Sequence, residues 1–227
     1  MTMGDGSMYE KPISYSGLSL YNRCPLAWKH AYIDGNRGTP GKAAMRGTKL
    51  HEKLEKYFNG DMWDDKDLTL MPWKAYMYDL STYAPLPEEK LAVDFEWQPL
   101  DFDSGDAHLR GAVDLSYIID YKFHVKDWKS GQIYSTHEGQ ADMYACLGLA
   151  TYPDCKSVEV EMVYLDHPRQ TRKWSYTLQK VHDLMGAIDH EVAILRVDEE
   201  WLPTPSQNGC KWCPLSWRNG GACDKSP

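Results

Sequence analysis

The stretch His124-Val125-Lys126-Asp127-Trp128-Lys129-Ser130-Gly131 decides how this chain is read. An acid and a lysine stand two residues apart in a β-rich run that ends at a glycine turn. On a strand, residues i and i+2 project from one face, so Asp127 and Lys129 point together while Trp128 faces the packing side. Upstream, Gly111-Ala112-Val113-Asp114 ends in a second carboxylate on another strand-like run. Two carboxylates from adjacent strands can hold Mg²⁺ or Mn²⁺, and a lysine beside them can orient a water and offset phosphate charge. That combination suits hydrolysis of a phosphodiester.

A second acid–x–lysine triplet, Asp120-Tyr121-Lys122, follows Asp114 too closely for a turn and a full return strand to fit between them. The spacing therefore predicts one strand through Asp114 to about Ile119 and a turn from Asp120 to Phe123. A second strand then ends at Lys129. Asp120 and Lys122 belong to the turn, and Asp127 and Lys129 are the working pair.

The chain has 227 residues, enough to bury a substantial core as one domain. No apolar run is long enough to predict a transmembrane helix, and residues 1–12, Gly-rich and polar near the start, read as disordered with no signal-peptide core. The chain reads as cytoplasmic. The net charge of −8 is unevenly spread: Arg23 to Lys56 holds eight Lys/Arg against three Asp/Glu. That basic stretch can follow a phosphate backbone, while Asp61, Asp64, Asp65 and Asp67 read as a solvated acidic turn.

Helical periodicity covers Ser16 to Ile33, Lys42 to Phe58 and about Leu68 to Tyr83. The period then drops to two: Leu91, Val93, Phe95 and Trp97 alternate with Ala92, Asp94, Glu96 and Gln98. After the hairpin come a helix over Tyr134 to Leu149, strands over Val158 to Leu165 and Lys173 to Leu178, and a last helix from about Gln179 to Arg196. Helices flanking a central mixed sheet make an α/β or α+β domain over residues 13–227.

Six cysteines in a chain of this kind are not expected as disulfides. Cys210-Lys211-Trp212-Cys213 and Cys223 fall together in a Gly- and Pro-rich C-terminal loop, about 207–224. Three clustered thiolates need a fourth ligand to close a tetrahedral zinc site or an iron–sulfur cluster, and Cys24 is the remote candidate. Cys146 and Cys155 read as packing residues.

Taken together, these residues resemble the RecB-like branch of the PD-(D/E)XK nuclease superfamily, and most of all the iron–sulfur exonucleases of phages and CRISPR systems. The resemblance runs from Ser14 to Asp224. It is carried by Ser14-Tyr15-Ser16 leading to Asn22-Arg23-Cys24-Pro25, by Gly47-Thr48-Lys49-Leu50-His51, by Gly111 to Asp114, by Asp127-Trp128-Lys129, by Gln140-Ala141-Asp142-Met143-Tyr144 and by the C-terminal cysteines. It implies a restriction-endonuclease-like core, with His51, Asp114 and Asp127 as ligands of Mg²⁺ or Mn²⁺ and Lys129 acting on the attacking water and the transition state. Gln140 and Tyr144, one helical turn apart, would line the substrate channel. Cys24, Cys210, Cys213 and Cys223 would hold a 4Fe–4S cluster joining the two ends of the chain. Asp94 or Glu96 is a candidate further acid.

The function expected from these features is a metal-dependent DNA exonuclease acting on single strands or duplex ends. It would work in phage replication or recombination, in the host cytoplasm, alongside recombination or replication proteins. The rival is a non-cleaving DNA-binding module of a recombination or CRISPR adaptation complex, held by a zinc site of four cysteines.

Overall fold

The computed structural model describes residues 9–134, 137–211, 213–221, 223–225 and 227. Most of the expected disordered start, residues 1–8, lies outside the described residues, as does Trp212 of the C-terminal cysteine loop. The chain divides into two compact units, Pro40–Ala187 and Met1–Thr39 with Ile188–Pro227.

The larger unit is built on a five-stranded sheet in the order β1-β2-β3-β4-β5. Its strands are β1 Leu86–Val93, β2 Leu109–Ile119, β3 Lys122–Lys129, β4 Ser157–Tyr164 and β5 Thr171–Thr177. The β1–β2, β2–β3 and β4–β5 pairs are antiparallel, while β3 and β4 are parallel. A parallel pair needs a crossover, which here contains the helix Glu138–Thr151, named α5 below in chain order. The fold class is mixed α/β, as expected.

The expected hairpin forms, with Asp120 and Tyr121 as its two-residue turn at φ 49° and 58°. Two successive left-handed residues make the tight turn whose twist matches the flanking strands. Lys122, expected in the turn, instead opens β3 opposite Ile119.

The helices of this unit are α3 Lys42–Phe58 and α4 Lys74–Ser81, the latter preceded by a single 3₁₀ turn Met71–Trp73. The helix expected from Leu68 is shortened because Pro72, which has no N–H to donate, sits in that opening turn. One sheet face packs Leu115, Tyr117, Trp128 and Val163 against Leu50, Leu54, Trp73 and Met77. The other face carries α5, with Gly148 so close to Phe123 that an added Cβ would sit 2.3 Å from its ring. The acidic turn is not simply solvated: Lys53 pairs with Asp64 and Asp67, and Lys74 with Asp65.

In the smaller unit the expected single N-terminal helix is two, α1 Tyr15–Arg23 and α2 Pro25–Tyr32. Pro25 bars its predecessor from helical geometry, so Cys24 is extended (φ −166°, ψ 105°) at the break. Trp28 is fully buried, stacked on Tyr32 and Trp201 and met edge-on by Tyr9, earlier in the chain than the expected start of structure. Helix α6, Leu178–Val197, is followed by the short α7, Gln207–Lys211. No helix among the described residues is long and apolar enough to cross a membrane.

Candidate active site

The acid and lysine of β3 lie on the α5 face of the sheet. Asp127 is buried, 2 % exposed, and its Oδ1 accepts hydrogen bonds from Tyr144 Oη and Gln140 Nε2, each at 3.0 Å. Gln140 also accepts from Lys129 Nζ at 2.8 Å through its Oε1. Positions i and i+4 of one helix thus grip both members of the acid–lysine pair. Lys129 Nζ lies 2.6 Å from Asp127 Oδ2. The contact is close but poorly aligned, and Oδ2 has no hydrogen-bond partner despite its burial.

Asp114 projects from β2 toward the end of the β2–β3 ladder, whose last paired residues are Leu115 and Lys126. Beyond that point its Oδ2 accepts the Trp128 backbone N–H at 2.6 Å. Its Oδ1 meets His51 Nδ1 at 3.1 Å. His51 rides on α3 one residue after the buried Leu50. This helix passes the end of β3 closely: a Cβ at Gly47 would stand 2.9 Å from Ser130 Oγ, so a larger residue there would have to turn that hydroxyl aside.

A third acid completes the cluster. Glu88 on β1 lies across from Asp114, between the pairs Pro87↔Leu115 and Glu89↔Val113. Its backbone is left-handed, φ 50°, an unusual state for a glutamate inside a strand. Ligand atoms of His51, Glu88 and Asp114 all lie within 4.8 Å of one another. Asp127 stands outside that tight set, on its Lys129 side.

The electrostatics are those of crowded anions. Burial, then the Asp114 charge, raises the Asp127 carboxyl to about 6. Burial and Asp114 likewise raise Glu88. Burial opposes a charged His51, but the Asp114 hydrogen bond and the charges of Asp114, Asp127 and Glu88 outweigh it, and its pKa rises. Carboxylate oxygens with one imidazole are donors for a hard divalent ion. The buried Oδ2 of Asp127, satisfied by no hydrogen bond beyond its ion pair with Lys129, and the mutual repulsion of the acids fit such a cation.

In the smaller unit, Cys24, Cys210, Cys213 and Cys223 all line one cavity of about 200 Å³. Cys24 reaches it from the α1–α2 break. Cys210 is in α7, the Cys213 N–H donates to the Cys210 carbonyl at 3.2 Å, and Cys223 forms an isolated bridge with Ser216. Gly221 permits that closure, since a Cβ there would fall 2.3 Å from the Leu215 backbone. Among the described residues no three of these sulfurs lie within 4.8 Å of one another. Cys146 and Cys155 are buried, as expected of packing residues.

Residues 12–218 match the family model of the PD-(D/E)XK nuclease superfamily. The chain belongs to that superfamily. Among solved structures, this nuclease resembles a candidate exonuclease from Eubacterium rectale (TM-score 0.56, 9% identity, 96% of this chain and 94% of that one). It also resembles SSO0001 (TM-score 0.52, 12% identity, 96% and 89%). These likenesses are of fold. No curated protein matches the sequence.

For a member of this superfamily, the sequence singled out His51, Asp114, Asp127, Lys129, Gln140 and Tyr144, and the structure brings all six to one place. It does not bring Asp94 or Glu96 there. Asp94 Oδ1 accepts the backbone N–H groups of Glu96 and Gln98, each at 2.8 Å, forming the turn that ends β1. The acid in their stead is Glu88. Its signal was faint: Pro87 beside it reads as a breaker, although proline is tolerated on an edge strand.

Proposed function

We propose that this protein is a divalent-metal-dependent DNA exonuclease acting on single strands or duplex ends. The observation that supports it is the meeting of His51, Glu88 and Asp114 beside the buried Asp127–Lys129 pair. His51, Glu88 and Asp114 would hold Mg²⁺ or Mn²⁺, with Asp127 joining through Oδ2, the oxygen beside Lys129. The ion supplies Lewis acidity and positive charge at the scissile phosphate.

The chain's own residues do the rest. Lys129 Nζ, aimed by Gln140, orients the attacking water and donates to the charge that builds on the phosphate oxygens. Tyr144 and Gln140 fix the Asp127 carboxylate so that it stays on the reacting side. In-line attack at phosphorus with cleavage of its bond to O3′ leaves a 5′-phosphate. Residues 13–227 serve as one nuclease domain in this reading, working in DNA processing in the cytoplasm, in phage replication or recombination.

Cys24, Cys210, Cys213 and Cys223 would ligate a 4Fe–4S cluster. All four cysteines line one cavity, which supports their joint ligation of one metal centre. The cluster's role would be structural, closing the C-terminal loop onto the α1–α2 break.

Incubating end-labelled single-stranded and duplex DNA with Mn²⁺ or with EDTA tests the whole reading. Metal-dependent release of mononucleotides or short products is expected. DNA retention without cleavage in any divalent metal, with one zinc per chain, would instead establish the binding-module alternative.

A further inference from the structure

Across the end of the sheet the charged side chains change sign. Glu88 of β1, Asp114 of β2 and Asp127 of β3 are acids, whereas Lys129 and then Arg172 of β5 are cations. Lys129 pairs in register with Tyr164 of β4, and Arg172 pairs with Met162, itself the partner of Asp127. Paired residues share a face, so Asp127, Lys129, Tyr164 and Arg172 lie on one surface.

The surroundings of Arg172 are those of a binding residue rather than a structural ion pair. It is exposed, and no carboxylate pairs with it among the described residues. Its Nη1 donates to the Tyr134 carbonyl at 3.3 Å and its guanidinium lies 5.8 Å from the Trp174 ring centre. The Tyr134 ring stands edge-on to His137 and is 56 % exposed. His137 accepts or donates at 3.0 Å to the Tyr164 hydroxyl. Burial, with the positive charges of Lys129 and Arg172, pushes the His137 pKa down to about 4, so the ring is neutral and the positive charge on this side of the site comes from Lys129 and Arg172. A guanidinium with free donors suits a phosphate oxygen, and an exposed aromatic ring beside it suits a nucleobase.

We propose that Arg172 and Tyr134 form a subsite for a nucleotide neighbouring the one that reacts, Arg172 taking its phosphate and the Tyr134 ring its base. The inference rests on the nuclease reading above. β3 and β5 are two strand spacings apart, about 10 Å. A stacked single strand covers that span in about three nucleotides, at roughly 3.4 Å of rise each. Substrate would therefore cross the strand ends from the acids toward β5, with the reacting phosphate over the acids. The subsite selects for polynucleotide over mononucleotide and for an unpaired strand, whose bases are free to stack.

Steady-state cleavage of a single-stranded oligonucleotide with Mn²⁺, measured at several salt concentrations, tests this. Arg172→Ala should raise KM about tenfold or more, as expected for loss of a charge-assisted hydrogen bond. It should also make log(kcat/KM) less salt-dependent by about 0.7, the share of one phosphate contact on a single strand. Tyr134→Ala should raise KM by a similar factor and Tyr134→Phe should restore it. Lys156→Ala, an exposed cation stacked on Tyr121 at the far end of the sheet, should change neither quantity. Among oligonucleotides carrying one neutral methylphosphonate near the cleaved bond, one position should weaken wild type but not Arg172→Ala. If wild type cleaves and Arg172→Ala keeps its KM and salt slope, or loses kcat alone, the subsite is overturned while the nuclease reading stands. Tyr134→Phe no better than Tyr134→Ala overturns the stacking role. Absence of cleavage by wild type overturns the nuclease reading and the subsite with it.

Discussion

Asp127 and Lys129 form an ion pair at 2.6 Å on the buried face of β3, two residues apart on one strand. Removing either should abolish cleavage without unfolding the protein, because both act on the reaction rather than on the core. Asp127→Ala and Lys129→Ala are expected to cleave labelled DNA at least a thousandfold more slowly, on the order of losses seen for transition-state groups. Asp120→Asn and Lys122→Ala, the other acid–lysine pair, should stay close to wild type. Loss of activity in the second set and not the first would overturn the assignment.

Glu88 predicts a separation of stability from metal binding. Glu88→Gly removes one metal donor and also relieves a left-handed backbone, which glycine adopts freely. It should raise the melting temperature of metal-free protein, by about 1 kcal/mol of stability, while weakening Mn²⁺ binding measured by calorimetry at least tenfold. Glu88→Gln should weaken binding without the gain in stability.

The Asp127 carboxyl, raised to about 6 in the folded protein, sets a pH dependence. An ordinary aspartate in the unfolded chain titrates near 4, so the folded state binds this proton more tightly. The favourable contribution is complete below about pH 4 and is lost as pH rises through about 6. Metal-free protein at about pH 7.5 therefore carries the cost of an ionised, crowded carboxylate, which a divalent ion offsets. Adding Mg²⁺ should raise the melting temperature more at about pH 7.5 than at about pH 5, and Asp127→Asn should remove most of that difference. Equal shifts at both pH values would contradict it.

Cys24 is separated from Cys210 by most of the chain, and joint ligation closes a very long loop. By analogy with a disulfide of that span, the closure is worth on the order of 4–5 kcal/mol, against about 5–15 kcal/mol for a whole domain. Anaerobically purified wild type should be brown and hold about four iron atoms, while Cys24→Ser should lose the iron and be strongly destabilised. Cys146→Ser and Cys155→Ser should keep it. Full iron and an unchanged melting temperature in Cys24→Ser would exclude that residue as a ligand.

On the face opposite the site, Lys126 and Glu161 pair at 2.6 Å with both side chains almost wholly buried, and Tyr76 donates to the same carboxylate at 3.0 Å. Lys126→Met alone should cost up to about 3 kcal/mol, because the buried carboxylate loses its closest cation and keeps only Lys173, 3.4 Å away, as a charged partner. The double variant with Glu161→Met should recover most of that loss in denaturant melts.

Where local chemistry and tertiary structure agree, the sequence was readable. The Lys42–Phe58 helix matches its apolar stripe, and Asp127 and Lys129 followed from strand alternation together with their spacing from Asp114. Gln140 and Tyr144 were legible as one turn of a helix, though only the fold shows that both hold Asp127. What failed did so at breakers and turns. Pro25 split a helix whose periodicity runs on through it, and Pro72 shortened another. The alternation from Leu91 to Trp97 suggested a strand there, but the Asp94 side chain captures two backbone N–H groups and turns the chain. That shift moved β1 toward its N-terminus and brought in Glu88, which no local pattern marks.

The same edge strand has a bearing on solubility. β1 borders the sheet, and an open border of unpaired backbone groups is a template for another chain. Pro87 has no N–H to offer, and the left-handed Glu88 beside it spoils the flat geometry an incoming strand would need. One irregularity therefore presents a carboxylate to the cluster and also guards against edge-to-edge aggregation. β-branched residues at 87 and 88 would smooth that border, and the protein would lose its protection along with its acid.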